Sequence, residues 1–143
     1  KMVIEQYVIE LTARARGFHL VTREVEERLS ILPSVSHGIA HIMVLHTSAG
    51  LAVNENADPD VRRDFETIFN KIVKEDDRDY VHTIEGSDDM PAHAKSVLTG
   101  TSVTIPIRDG RFLFGTWQGI YLCEFRNRGG SRRIAVTIIG ERR

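Results

Sequence analysis

Apolar residues recur along the chain with two periods, and the switches between them mark out its elements. Residues 2–12 are rich in valine, isoleucine and tyrosine and predict an opening strand, with a turn or second extended piece around residues 17–21. Thr22 then reads as an N-cap. Val25, Leu29 and Leu32 recur at helical spacing while Glu24, Glu26, Glu27 and Arg28 fill the other face, and Pro33 ends the run. Residues 38–47 are mostly apolar and predict a strand buried on both faces, ending in His46-Thr47-Ser48. Asp58 and Pro59 open a second helix as cap and first helical residue, and Val61, Phe65, Ile68, Phe69 and Ile72 keep one apolar stripe. The acidic run Glu75-Asp76-Asp77-Arg78-Asp79 reads as a solvated loop. A third, short helix is predicted over residues 91–99, closed by Gly100 in a left-handed cap.

From residue 101 the period falls to two. Val103, Ile105 and Ile107 alternate, Asp109-Gly110 is a hairpin turn, and residues 112–114 return. Residues 115–125 predict another strand, 127–131 a glycine turn, and 134–139 a final apolar strand. The order predicts an α+β fold of mixed or antiparallel sheets with two to three helices, in a single domain over residues 1–143.

Composition narrows the function classes. The chain has 143 residues, 41% of them hydrophobic, enough to bury a core without disulfide or metal staples. A formal net charge of -1 argues against a nucleic-acid binder that works by phosphate neutralisation. One cysteine, Cys123, excludes an intrachain disulfide and reads as a buried structural thiol. No apolar run approaches the roughly 20 residues of a membrane span, so a cytoplasmic protein without membrane contact is expected. Of 19 basic residues, four are lysine and 15 arginine, a bias that suits a small anionic ligand, although for any arginine taken alone ordinary compositional bias is the stronger reading. Arg126, Arg128, Arg132 and Arg133 cluster around Gly129-Gly130.

The densest chemistry lies in residues 81–93, where His82, His93 and the carboxylates Glu85, Asp88 and Asp89 surround turn residues. His46, His82 and His93 are the candidate metal ligands, since three imidazoles leave a coordination position open. Their spacing is no local zinc signature, so the fold alone can join them. A lone histidine is more often a hydrogen-bonded structural ring, and His19, His37 and His41 are read that way, with His41 packing within its strand. Asp58 is assigned to helix capping. Glu55, within Asn54-Glu55-Asn56, has no comparable structural task and is the candidate general base or partner of a metal-bound water. Asp88 and Asp89 precede a helix, so capping competes with function for both. Trp117, between Gly115 and Gly119, reads equally as a stacking surface for a flat ring and as a core or interface anchor.

Four motifs are jointly distinctive: His46-Thr47-Ser48-Ala49, Asn54-Glu55-Asn56, the run from Glu85-Gly86-Ser87-Asp88-Asp89-Met90-Pro91-Ala92-His93 through Lys95, and Gly115-Thr116-Trp117-Gln118-Gly119-Ile120. With them the chain resembles the YjbQ-like family, whose members are described as secondary thiamine-phosphate synthases. The likeness extends from Arg16-Gly17-Phe18 to Gly140-Glu141. It implies a compact α+β fold, a homotrimer, and a histidine-lined site holding a divalent metal, with His46, His82 and His93 each matching a family histidine. Two positions depart from the pattern: Phe125 stands where the family often has histidine, and Cys123 where glycine is common.

The implied reaction joins a hydroxymethylpyrimidine diphosphate to a thiazole phosphate and releases diphosphate. Under that reading Arg62, Lys95, Arg126 and Arg133 are the cations for phosphate, and Asn54 is a further substrate-binding residue. Glu55 and Asp89 serve as catalytic carboxylates, and Trp117 stacks on the pyrimidine. Histidine ligands favour zinc or another transition metal, while diphosphate chemistry commonly employs magnesium held by oxygen. A metal-dependent hydrolase of a small phosphate or ester is the alternative enzyme, and a non-catalytic trimer binding a metal or anion the alternative outside enzymes.

Overall fold

The computed structural model describes residues 1–143. In chain order it contains β1 (Met2–Glu10), β2 (Gly17–Leu20), α1 (Thr22–Glu27), a 3-10 turn (Leu32–Ser34), β3 (Val35–Val44) and β4 (Ala49–Glu55). The helices α2 (Pro59–Ile72) and α3 (Asp89–Thr99) follow, then β5 (Ser102–Arg108), β6 (Arg111–Phe112), β7 (Gln118–Glu124) and β8 (Arg133–Arg142). The strands form a five-stranded sheet, β1-β8-β3-β5-β6, and a three-stranded sheet, β2-β7-β4. Every pairing is antiparallel, so the α+β class stands and the sheets are not mixed.

Strand β7 organises the layers because its side chains alternate between two cores. Ile120 and Leu122 join a cluster of 20 buried residues that includes Ile42, Val136 and Ile138 of the larger sheet. Tyr121 and Cys123 point the other way, with Phe18, Ala92 and Phe125, against Phe65 and Phe69 of α2. The larger sheet, the smaller sheet and the helices α2 and α3 are therefore stacked in that order. Cys123 is fully buried, and burial pushes its thiol pKa far up, consistent with an inert structural role.

Local chemistry explains most boundaries. Asp58 caps α2 by accepting the Asp60 amide at 2.9 Å, with Pro59 in the first turn. Asp109 (φ 51°) and Gly110 (φ 77°) turn the β5–β6 hairpin, the pair of left-handed residues that a two-residue loop requires. Gly100 closes α3 with φ 92° and its amide on Ser96, but ψ 164° carries it outside the left-handed helical region.

Several expectations need correction. Val21, not Thr22, is the N-cap of α1; the Thr22 hydroxyl instead accepts the Ile120 amide at 2.9 Å and ties α1 to β7. That helix stops at Glu27, although Leu29 and Leu32 are buried as expected. Residues 115–117 form a turn before β7, with Gly115 and Gln118 bonded to each other.

Strand β3 buries one face only. His37, Ile39, His41 and Met43 are exposed, so His41 does not pack. Across the outer face of the larger sheet Ile4, Ile139, Ile39 and Pro106 align in one row, and Val8, Ala135 and Met43 in another. Ile4 and Val8 are 70% and 66% exposed, so this apolar surface is uncovered in a single chain.

Candidate functional site

Helix α3 begins at Asp89, two residues earlier than its periodicity suggests, and this places His93 one turn on, in the i,i+4 relation that puts both side chains on one face. His93 Nε2 lies 3.1 Å from Asp89 Oδ2. His82, on the loop before the helix, brings its Nε2 to 2.7 Å from the same oxygen. The two rings meet edge to face at 5.5 Å between centroids. Ligating atoms of His82, Asp89 and His93 all lie within 4.8 Å of one another, as a shared metal ion requires.

The carboxylates are held from behind. Arg126 Nε donates to Asp88 Oδ2 at 2.9 Å, Nη1 to Asp89 Oδ1 at 2.5 Å, and Nη2 to the Glu85 carbonyl at 3.0 Å. Asp88 also accepts the Asn127 amide and makes no capping bond. Burial alone would raise the Asp89 pKa. The hydrogen bond from His82 and the charges of His93 and Arg126 outweigh it and hold the carboxyl below the usual range. Behind Arg126, the fully buried Glu124 receives Arg132 through both carboxylate oxygens, at 2.7 and 2.6 Å, and Arg132 reaches on to Ser48. A Cβ on Gly129 would stand 2.2 Å from Glu124 Oε1, so glycine is required there for close approach.

His46 does not belong to the ligand group. Its Nε2 accepts the Arg133 amide at 2.8 Å, so that nitrogen carries no proton and offers no free lone pair. Burial first, then the charges of Arg132 and Arg133, hold its pKa down and keep it neutral. The adjoining Thr47 nevertheless serves the site, since its carbonyl faces His93 Nδ1 at 2.9 Å. Asp89 thus stands where the third imidazole was expected.

The other candidates disperse. Glu55 has a structural task after all: its carboxylate accepts the amides of Ala57 and Asp58 at 2.7 and 3.0 Å, shaping the entry to α2. It lies at the far end of β4 from Ala49, about 20 Å away at roughly 3.4 Å per residue. Asn54 and Trp117 share that end, with Trp117 64% exposed and its carbonyl on the Asn56 amide. Trp117 is therefore no core anchor. Lys95 is buried on α3, donates to Asn70 Oδ1 at 2.6 Å and lies over the Phe125 ring. Burial first, then Arg16, lower its pKa. Phe125 itself packs on Phe18 and Phe69 in the second core. Arg133 contributes its amide, with an exposed side chain, and Arg62 lies on α2 beside a different cavity.

Beside His82 lies a cavity of about 280 Å³, walled by Glu75, Asp76, Asp77 and Tyr80 on one side and by Ser87 and Met90 on the other. The sequence did not single out Glu124 as a supporting residue. Its one signal was an acidic side chain ending an otherwise apolar strand. No helix is long and apolar enough to cross a membrane.

With this geometry in hand, comparison with known proteins is specific. The family described as "UPF0047 protein YjbQ-like" matches residues 7–141. The UPF0047 protein YjbQ of Escherichia coli O157:H7 is 50% identical over 95% of this chain and 98% of its own. A UPF0047 protein of Synechocystis is 41% identical over 95% and 92% of the two chains. Among solved structures, a YjbQ/UPF0047 protein of Clostridium acetobutylicum matches with a TM-score of 0.76 and 38% identity, covering 94% of this chain and 98% of that one. A YbjQ-like protein of Sulfolobus solfataricus matches with a TM-score of 0.80 and 26% identity, covering 99% of both. The extent of these matches, across both sheets, the loop that carries His82 and the helix that carries Asp89 and His93, establishes that the chain belongs to the YjbQ-like UPF0047 family.

Proposed function

We propose that the protein is a metal-assisted enzyme acting on a small phosphorylated substrate, with a divalent ion held by His82, Asp89 and His93. One observation carries the proposal. A carbonyl only accepts, so His93 Nδ1 carries the proton that it shares with Thr47, and Nε2 is the nitrogen turned to Asp89 Oδ2 at 3.1 Å. At that distance Nε2 and the carboxylate share either a second ring proton or a metal ion, and the metal is favoured because His82 Nε2 reaches the same oxygen and completes a group of three ligating atoms within 4.8 Å of one another. An imidazole anchored through its other nitrogen to a backbone carbonyl is the usual outer support of a metal ligand.

Two imidazoles and one carboxylate with open positions suit zinc or iron(II), with nickel or manganese next, and fit magnesium poorly. Bound there, the ion would polarise a phosphoryl oxygen or activate a water. Arg126 fixes the orientation of Asp89, and Thr47 fixes the ring of His93.

The family resemblance points more finely to thiamine-phosphate formation from the pyrimidine diphosphate and thiazole phosphate. Supplying both to metal-stripped protein, with each divalent metal restored in turn, tests it. The reading predicts metal-dependent product that is lost in His93→Ala and Asp89→Asn while both variants stay folded. Product formed equally fast by those variants would refute the assignment. Hydrolysis of a generic phosphoester with the same sensitivity, and no coupling, would favour the hydrolase.

We also propose a homotrimer. Its support is the uncovered apolar face of the larger sheet, which self-association would remove from water.

A further inference from the structure

We propose that the cavity between β2 and the first turns of α2 binds a small oxyanion, a phosphate group, at a site separate from the histidine group and independent of its metal. The cavity measures about 380 Å³, within the range of small-ligand sites. Its lining holds Arg16, Arg62 and Arg63 with Glu66 as the single acid, three positive charges against one negative, in a chain whose net charge is -1. The cavity beside His82 is the opposite, lined by Glu75, Asp76 and Asp77 with no lysine or arginine. The two share no lining residue. The Arg16–Glu75 ion pair links them, one partner lining each.

Arg62 is the residue that asks for a ligand. Arg16 pairs with Glu66 and Glu75, and Arg63 with Asp60, but Arg62 has no carboxylate partner, and its Nη1 is shut off from water without a hydrogen bond. Such an orphaned donor is costly. Glu66, one turn along α2, does not serve it: Glu66 Oε1 is held by Arg16 and Asn70, and Oε2 is itself unpartnered. An oxyanion in the cavity would meet the part of the Arg62 guanidinium that lines it, the one arginine there without a carboxylate partner. The excess of two positive charges favours phosphate, which carries about -1.5 to -2 near neutrality, over a singly charged carboxylate, and the guanidinium fork matches its geometry.

The test is calorimetric titration of the full chain, after chelator treatment, with inorganic phosphate and, separately, with acetate. Saturable binding of phosphate, one per chain, is expected, with acetate weaker. Arg62→Gln should weaken phosphate binding by roughly tenfold or more, and His93→Ala should leave it unchanged. Absence of saturable binding, or equal affinity in Arg62→Gln, would overturn the site, and equal affinity for acetate would overturn the phosphate assignment. Loss of binding in His93→Ala would move the anion to the histidine group, sinking this inference while leaving the metal-site reading intact. If Arg62→Gln does not fold, Arg63→Gln at the exposed rim should weaken phosphate several-fold, and unchanged affinity there would equally overturn the site.

Discussion

Glu24 shows how much of this fold can hang on one half-buried carboxylate. Its Oε2 accepts the Thr12 amide and hydroxyl at 2.9 and 2.8 Å, and its Oε1 accepts Arg14 at 2.9 Å, tying α1 to the segment after β1. Burial alone would raise its pKa; the bonds from Thr12 and Arg14 outweigh it and lower the value. A carboxyl with a depressed folded pKa contributes stability above its unfolded pKa, and that contribution is lost as pH falls through the folded value. Glu24→Gln should therefore cost about 1 kcal/mol in urea unfolding at neutral pH, with the gap between variant and parent shrinking between neutral pH and a pH well below the usual carboxylate range. A gap of the same size at both pH values would contradict the assignment. At this scale the density of ionisable groups among turn residues drew attention to His82 and His93, while Asp89 was left between capping and function. It could not show that His46 would give its Nε2 to a backbone amide 87 residues away, or that Glu55 would be held by amides two and three residues ahead. Both facts depend on loop geometry, which periodicity does not encode.

Elements were legible where one period dominated. Asp58-Pro59 and the stripe through Phe65 and Phe69 located α2, and Asp109-Gly110 located the β5–β6 turn, because cap and turn residues act locally. Strand β3 was misread in an instructive way. Its continuous apolar run suggested burial on both faces, yet Ile39 and Met43 lie on an outer face that one chain leaves bare. Apolar character alone does not say which face of a strand its own chain covers. The reverse holds for β7, where an equally continuous run is buried twice within the chain. The start of α3 mattered most for the site. Pro91 looked like its first residue but lies in its first turn, and the two-residue shift puts Asp89 and His93 on one face.

On the scale of the whole molecule, the layers have one closed side and one open side. The smaller sheet is covered by α2 and α3, whereas the rows Ile4-Ile139-Ile39 and Val8-Ala135-Met43 of the larger sheet have no cover. If copies of the chain meet there as a trimer, Ile39→Asp should shift the mass measured by light scattering toward the monomer without loss of secondary structure. A parent protein that is monomeric at micromolar concentration would refute the trimer.

The central claim, that His82, Asp89 and His93 together hold a metal, is tested most directly by titrating zinc into chelator-stripped protein against a competing chromophoric chelator. The account predicts one tightly bound ion per chain, lost in His82→Ala, Asp89→Asn and His93→Ala and kept in His46→Ala. No stoichiometric binding by the parent, or binding that survives Asp89→Asn and disappears in His46→Ala, would contradict it.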